Sequence, residues 1–211
     1  MTPTFLHGPF RTARCLDVSA PARQPTETFI RAVYRERYGA EIAVEYPWLL
    51  AFEGAGAELR AAVGLRCGEH GPLFVERYLG EPAERRLQRL VGARVRRADL
   101  IEFGNFAARD AGDSRALILS LIPLLHGTGK RWVLFVATRQ LRNAFARLGL
   151  PVQLLGAADP AAMGEDADRW GRYYASTPML CAGDLSQVAN RGAAPAGTLC
   201  SGGLRLAEAL P

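Results

Sequence analysis

The 211-residue chain is nearly without lysine: Lys130 stands alone, so almost all positive charge is arginine. A net charge of +5 built this way suits carboxylate and phosphate recognition, because the planar guanidinium grips such groups through two donors at once. The arginines are scattered except for one group at Arg85, Arg86, Arg89, Arg94, Arg96 and Arg97. That group reads first as a solvated helix face, and second as a surface for an anionic ligand, an acyl carrier protein or a membrane. No nucleic-acid partner is expected. Histidine is also scarce. His7, His70 and His126 stand apart without metal-ligand spacing, so no metal is expected. Cys15, Cys67, Cys181 and Cys200 contain no CxxC pair, which argues against both a zinc site and a disulfide framework. Ser114, Ser120 and Ser186 lack a GxSxG context, which argues against a serine hydrolase. No charged start followed by an apolar core and a small-residue cleavage site is visible at the N-terminus. The longest apolar run, residues 116–125, is about half a membrane span and contains Pro123. These absences lead to the expectation of a cytoplasmic protein that does not span a membrane, with membrane contact left open.

What is present suffices for a core: 49% of the chain is hydrophobic and 22% charged. The length fits one domain with short appendages. Residues 1–24 read as an irregular segment with one strand-like stretch at 15–18. Pro25, Thr26 and Glu27 open a helix in which Phe29, Ile30, Val33, Tyr34 and Arg37 fall at helical spacing before Gly39 stops it. Residues 48–52 and 59–66 form a hairpin across a turn at 54–56. Residues 73–79 alternate Phe74, Glu76, Tyr78, which suits a strand. Pro82 opens a helix with a stripe of Leu87, Leu90, Val91 and Val95. A strand at 100–107, a loop, and an apolar helix from about Ser114 follow. Residues 132–137 read as a central strand covered on both faces. A helix at 140–148, a strand at 152–155, an acidic loop and a last strand at 179–182 complete the domain. Residues 187–211 are rich in Ala, Gly and Pro, a loose tail with a short turn near 204–210. The order predicts an α/β or α+β domain over 25–186, one sheet with helices on both faces.

The chemistry concentrates in residues 101–125. A strand that ends in a glycine-containing loop and opens an apolar helix presents outward backbone N–H groups and the positive end of a helix dipole. Arg109 and Arg115 would flank an anion there, and Asp113 reads as the helix cap. An ordinary strand–helix turn accounts for the same residues, and local physics leaves both readings open.

Arg109-Asp-Ala-Gly112-Asp-Ser114 resembles the acyl-CoA loop of the GNAT acyltransferase superfamily, Arg/Gln-x-x-Gly-x-Gly/Ala, with Ser114 at the last small position. Arg142-Asn-Ala-Phe-Ala-Arg-Leu-Gly149-Leu150 resembles the helix that ends Leu-Gly-Phe in those enzymes, with Phe145 where many place a tyrosine acid. Glu102-Phe-Gly-Asn-Phe-Ala107 is similar to the Glu-x-x-Arg-Phe-Ala strand of acyl-homoserine-lactone synthases, which share the fold; Asn105 replaces their arginine. The widest resemblance, over roughly residues 25–185, is to the thermostable hemolysin family of bacterial proteins. It rests on Phe29-Ile to Tyr38, Ala61-Ala-Val-Gly-Leu-Arg66, Leu73-Phe-Val-Glu-Arg-Tyr-Leu79, Glu102 to Ala107, Leu141 to Leu150 and Trp170-Gly-Arg-Tyr-Tyr174. The family name implies membrane lysis, while the fold implies acyl transfer. That fold is a mixed sheet of about six or seven strands, splayed in the middle, with helices on both faces. The resemblance implies that coenzyme A, an acyl-CoA or the phosphopantetheine of an acyl carrier protein binds beside Phe106, Ala107, Arg109, Gly112, Asp113, Ser114 and Arg115.

Glu102 is the most telling carboxylate. Burial would raise its pKa toward that of a useful base, able to take a proton from an amine attacking the thioester. The alternative is an ion pair, with Arg66 for example. Asn105 either orients substrate or ties two strands together. Glu76 would lie near Glu102 if their strands neighbour, and bind a cationic acceptor; otherwise it is an exposed alternating position. Arg66 would bind an acceptor carboxylate or be solvated. Trp170, Tyr173 and Tyr174 would line an acyl pocket or pack in the core, and the Tyr173 hydroxyl would replace the missing acid. The expectation is an N-acyltransferase with catalytic Glu102, Asn105 and Tyr173 and a small amine acceptor. A membrane-active protein and a non-catalytic thioester-binding module are the alternatives.

Overall fold

The computed structural model describes residues 6–189; most of the expected tail, with its terminal turn and Cys200, lies outside them. The strands are β1 (Thr12–Leu16), β2 (Trp48–Glu53), β3 (Leu59–Cys67), β4 (Leu100–Ala108), β5 (Trp132–Ala137), β6 (Gln153–Ala157) and β7 (Met179–Asp184). The helices are α1 (Arg23–Tyr38), α2 (Glu76–Leu79), α3 (Ala83–Val91), α4 (Ala111–His126), α5 (Arg139–Arg147) and α6 (Leu185–Ala189). The strands form one sheet in the order β1-β2-β3-β4-β5-β7-β6. Every neighbouring pair is antiparallel except β4 and β5, which run parallel.

Strand alternation sorts side chains between two faces. Leu50 and Phe52 of β2, Val63 and Leu65 of β3, and Val133 and Phe135 of β5 join Leu117, Leu121 and Leu124 of α4 in one core. On the other face Leu49 and Ala51 meet Ile30, Val33 and Tyr34 of α1. Beside them Leu100, Trp132 and Leu134 meet Leu87 of α3. This is the α+β sheet with helices on both faces that the element order predicts.

Three local expectations are corrected. Residues before 25 are not irregular throughout: β1 pairs along β2, with Thr12 opposite Glu53 and Leu16 opposite Leu49, and Leu6 and Phe10 are buried. As an edge strand it carries Thr12 and Arg14 between Ala13 and Cys15, too little apolar pattern to read as core. Residues 73–79 are not a strand. They hold the single turn α2, and the Leu73, Phe74 and Val75 amides donate to carboxylates instead of a ladder. Finally, α4 begins at Ala111, not Ser114. Asp110 is extended, and the Ser114 amide already donates to its carbonyl at 3.1 Å.

The sheet splits where the function is expected. β4 and β5 pair over three residues only, Leu100, Ile101 and Glu102 against Trp132, Val133 and Leu134. Beyond that point β4 stays with β3 and β5 with β7, which is the splay. A bulge marks the same place. Ala62 faces Ala107 and Gly64 faces Gly104, so Asn105 and Phe106 together oppose Val63. Asn105 sits at φ +49, a left-handed conformation that asparagine tolerates better than most residues.

Candidate functional site

A cleft of about 270 Å³ opens where β4 and β5 part. Phe106 of β4 and Val136 of β5 line it, with Gly112, Ser114 and Arg115 from the first turns of α4. α1 contributes Tyr34, Arg37 and Tyr38, α5 contributes Arg147, and Tyr173 also faces it. Three arginines line the cleft and no aspartate or glutamate does. The leading amides of a helix have no carbonyl acceptor within it. Asp110 makes no side-chain cap to them, and a Cβ built on Gly112 would meet no atom within 4 Å. An open helix N-terminus among three guanidinium groups fits the phosphates of coenzyme A or phosphopantetheine.

The cleft also gathers hydroxyls. The bulge releases the Phe106 amide from the ladder, and that amide interacts with the Tyr34 hydroxyl. Tyr38 shares a hydrogen bond with Thr138, whose Oγ1 caps α5 by accepting from the Leu141 amide at 3.2 Å. Burial pushes the hydroxyls of Tyr34, Tyr38 and Tyr173 up, so each stays an O–H donor at neutral pH. Phe145 lies elsewhere. Its ring is 5.0 Å from Phe135, which stacks on Phe103 at 4.5 Å. All three line a separate apolar pocket of about 40 Å³ with Ile118, Leu121 and Leu150. A tyrosine hydroxyl there would be desolvated without gain.

Glu102 does not line the cleft. It is 0% exposed and accepts from the Phe74 amide at 2.7 Å and the Val75 amide at 2.8 Å. Tyr46 lies on Gly64 and Gly104 so closely that a Cβ on the first would fall 2.4 Å from its ring and on the second 2.0 Å from its hydroxyl oxygen. Burial drives the Glu102 carboxyl from an ordinary 4.5 up to about 7, while the two amides and Arg66 pull it back. Arg66 faces Glu102 in register but turns its guanidinium to the carbonyls of Glu45 (2.7 Å) and Pro72 (2.9 Å), 5.4 Å from the Tyr46 ring centre.

The expected site residues therefore separate. Phe106, Gly112, Ser114, Arg115 and Tyr173 meet at the cleft. Glu76 pairs with Arg97, and Tyr174 meets the Tyr78 hydroxyl at 2.8 Å. Trp170 packs on Tyr34, Phe74 and Tyr173. Asn105 is buried, its Oδ1 without a donor among the described residues. Arg109 donates to the Leu59 carbonyl at 3.1 Å. Asp113 pairs with Arg60 at 3.0 Å instead of capping α4, and Ala107 is core. Cys67, Glu69 and His70 place ligand atoms within 4.8 Å of one another, but the Lys130 ammonium already sits 2.5 Å from Glu69. Sequence reasoning missed Tyr34, Arg37, Tyr38 and Arg147. The first three form one helix face at i, i+3, i+4, and polar tips on an otherwise core stripe were the available signal.

Residues 16–189 match the thermostable hemolysin family model. The chain belongs to the thermostable hemolysin family. None of the curated proteins matches it in sequence. Among solved structures, this family member is similar to LasI, an AHL synthase, at 12% identity over 90% of this chain and 100% of that one, with a TM-score of 0.57. It is similar to FeeM, an N-acyl amino acid synthase from uncultured soil microbes, at 16% identity over 86% and 99%, TM-score 0.55. BjaI, a CoA-dependent acyl-homoserine lactone synthase solved with SAM and isopentyl-CoA, gives 13% identity over 87% and 90%, TM-score 0.54. These likenesses establish that the chain shares the fold of these synthases, one mixed seven-stranded sheet with helices on both faces.

Proposed function

We propose that the protein binds an acyl thioester in the β4/β5 cleft and transfers the acyl group to a small amine. The observation that carries this reading is the split sheet opening onto a helix N-terminus and three arginines with no carboxylate among the lining residues. Arg37, Arg115 and Arg147 with the Ala111 and Gly112 amides would hold the donor's phosphates. The donor supplies an activated carbonyl and a thiol leaving group. The apolar pocket of about 40 Å³ behind Phe103 would receive the first carbons of an acyl chain; the Phe103 and Phe106 ring centres are 6.3 Å apart. The amine nitrogen attacks the thioester carbonyl, a C–N bond forms and the C–S bond breaks. A hydroxyl in the cleft, that of Tyr173 among them, gives a proton to the departing sulfur. Glu102, with a carboxyl at about 7, would accept the amine proton through a bridging water, the Phe74 and Val75 amides remaining on its two oxygens. The isopentyl-CoA bound by BjaI and the N-acyl amino acid chemistry of FeeM support the donor and acceptor classes.

A long-chain N-acyl amine is itself a detergent, which reconciles the family name with the fold. Among the described residues no helix is long and apolar enough to cross a membrane. The test is thiol release from octanoyl-CoA in the presence of a pool of amino acids, with mass analysis of the product. N-acyl product and stoichiometric thiol are expected. The same assay with octanoyl-acyl carrier protein separates the two donors, and no product from either contradicts the reading.

A further inference from the structure

Glu76 is the tie-point of the segment that covers Glu102. Its Oε2 accepts from the Leu73 amide at 2.8 Å and its Oε1 from the Ala83 amide at 2.7 Å, joining the turn at 72–76 to the start of α3. Arg97 clamps both oxygens and reaches Glu84 at 2.9 Å and the carbonyls of Gly68 at 2.7 Å and Gly71 at 2.5 Å. Burial pushes the Glu76 carboxyl up, but Arg97 and the Ala83 and Leu73 amides together bring it below the usual carboxylate range. Glu76 is thus a fixed anion at neutral pH. With the Leu73 amide taken, the next two amides, Phe74 and Val75, converge on the two oxygens of Glu102. Adjacent converging amides form an anion-binding concavity; Arg66, donating to the Pro72 carbonyl at 2.9 Å, and the Glu76 amide, donating to the Leu73 carbonyl at 3.2 Å, hold the same turn beside the Glu76–Arg97 pair.

We propose that Glu76, locked by Arg97, is a positioning residue for Glu102: it shapes residues 72–76 into a two-amide cradle that fixes the Glu102 carboxylate as proton acceptor for acyl transfer. This rests on the acyl-transfer reading above. The competing role is a staple between α2 and α3 that Glu102 feels only as a nearby negative charge.

The two roles differ in sign. The amides favour ionised Glu102, so a loosened cradle moves its titration to higher pH. The Glu76 charge disfavours ionised Glu102, so removing charge alone moves it to lower pH. The other groups facing Glu102 are Tyr46, from the segment between α1 and β2, and Arg66 of β3; neither is substituted in the variants. The experiment is a pH titration of the Glu102 carboxyl carbon by NMR in glutamate-labelled protein, assigned with Glu102→Gln, beside the Phe74 and Val75 amide protons. In the unaltered protein those two protons move with the Glu102 midpoint. In Glu76→Gln the midpoint rises by about one pH unit. Arg97→Lys keeps every charge, so a rise there cannot come from lost charge; it also decides the matter should Glu76→Gln fail to fold. A fall or no change in the folded variants, or amide protons that ignore the Glu102 midpoint, overturns the proposal. Thiol release from octanoyl-CoA, followed in parallel, tests the acyl-transfer reading separately, because the titration needs no substrate.

Discussion

β4 is one strand in two environments. At Ile101 and Glu102 it has partners on both sides, and Glu102 is sealed beneath Tyr46 and the amides of Phe74 and Val75. Over residues 105–108 it has lost β5, and Phe106 looks into a cleft lined by three arginines. The closed half holds a buried titratable carboxylate, and the open half holds the arginines to which we assign anion binding. The two are not interchangeable. Glu102 gains its neutral-range pKa chiefly by being shut away from water, while a site for a charged donor works only if the donor can enter. One bulge at Asn105 lets a single strand do both.

The largest effect should come from breaking the closed half. Gly104→Ala places a Cβ 2.0 Å from the Tyr46 hydroxyl oxygen and is expected to cost about 3 kcal/mol in denaturant unfolding. A neutral result would show that Tyr46 is not what seals β4. Next, Glu102 should leave a signature in the pH dependence of stability. Its folded value, about 7, lies above the ordinary 4.5, so between those values the folded state holds the proton more tightly than the unfolded chain. Its contribution is present below pH 4.5 and is lost as pH rises toward 7, by roughly 3 kcal/mol. Unfolding measured across that window should show the slope in the unaltered protein and a flatter curve in Glu102→Gln; equal slopes would place the titration elsewhere.

The open half should respond differently. Arg115→Ala is expected to weaken coenzyme A binding about tenfold, near 1.4 kcal/mol, with little change in unfolding. Arg109→Ala should have the smallest effect, within about twofold on binding, because its guanidinium is turned to the Leu59 carbonyl. A larger loss for Arg109 than for Arg115 would restore the arrangement the sequence suggests.

Much of the fold was legible because strands and helices stamp their periods on the chain: β2, β3, β5, α1 and α5 lie within a few residues of expectation. The turn from β4 into α4 was legible as strand, glycine and apolar helix. The division of the site was not. Glu102 and Phe106 are four apart, which in a regular strand puts them on one face. The bulge at Asn105 throws Phe106 to the α4 face, where it packs on that core, and nothing in Glu-Phe-Gly-Asn-Phe announces it. Glu76 misled for a similar reason: Phe74, Glu76 and Tyr78 alternate like a strand, but the Leu73 amide is drawn to Glu76 and the backbone curls into α2. Tyr34, Arg37 and Tyr38 passed as an ordinary core stripe, because only tertiary packing shows that their polar tips reach a cleft.

The most direct measurement is calorimetric titration of the full chain with coenzyme A. A saturable heat in the micromolar range, weakened by Arg115→Ala and kept in Glu102→Gln, is predicted, since the first acts in the open half and the second in the closed half. No saturable binding up to millimolar coenzyme A or phosphopantetheine-bearing carrier protein, or equal loss in both variants, would contradict an acyl-thioester site at the split between β4 and β5.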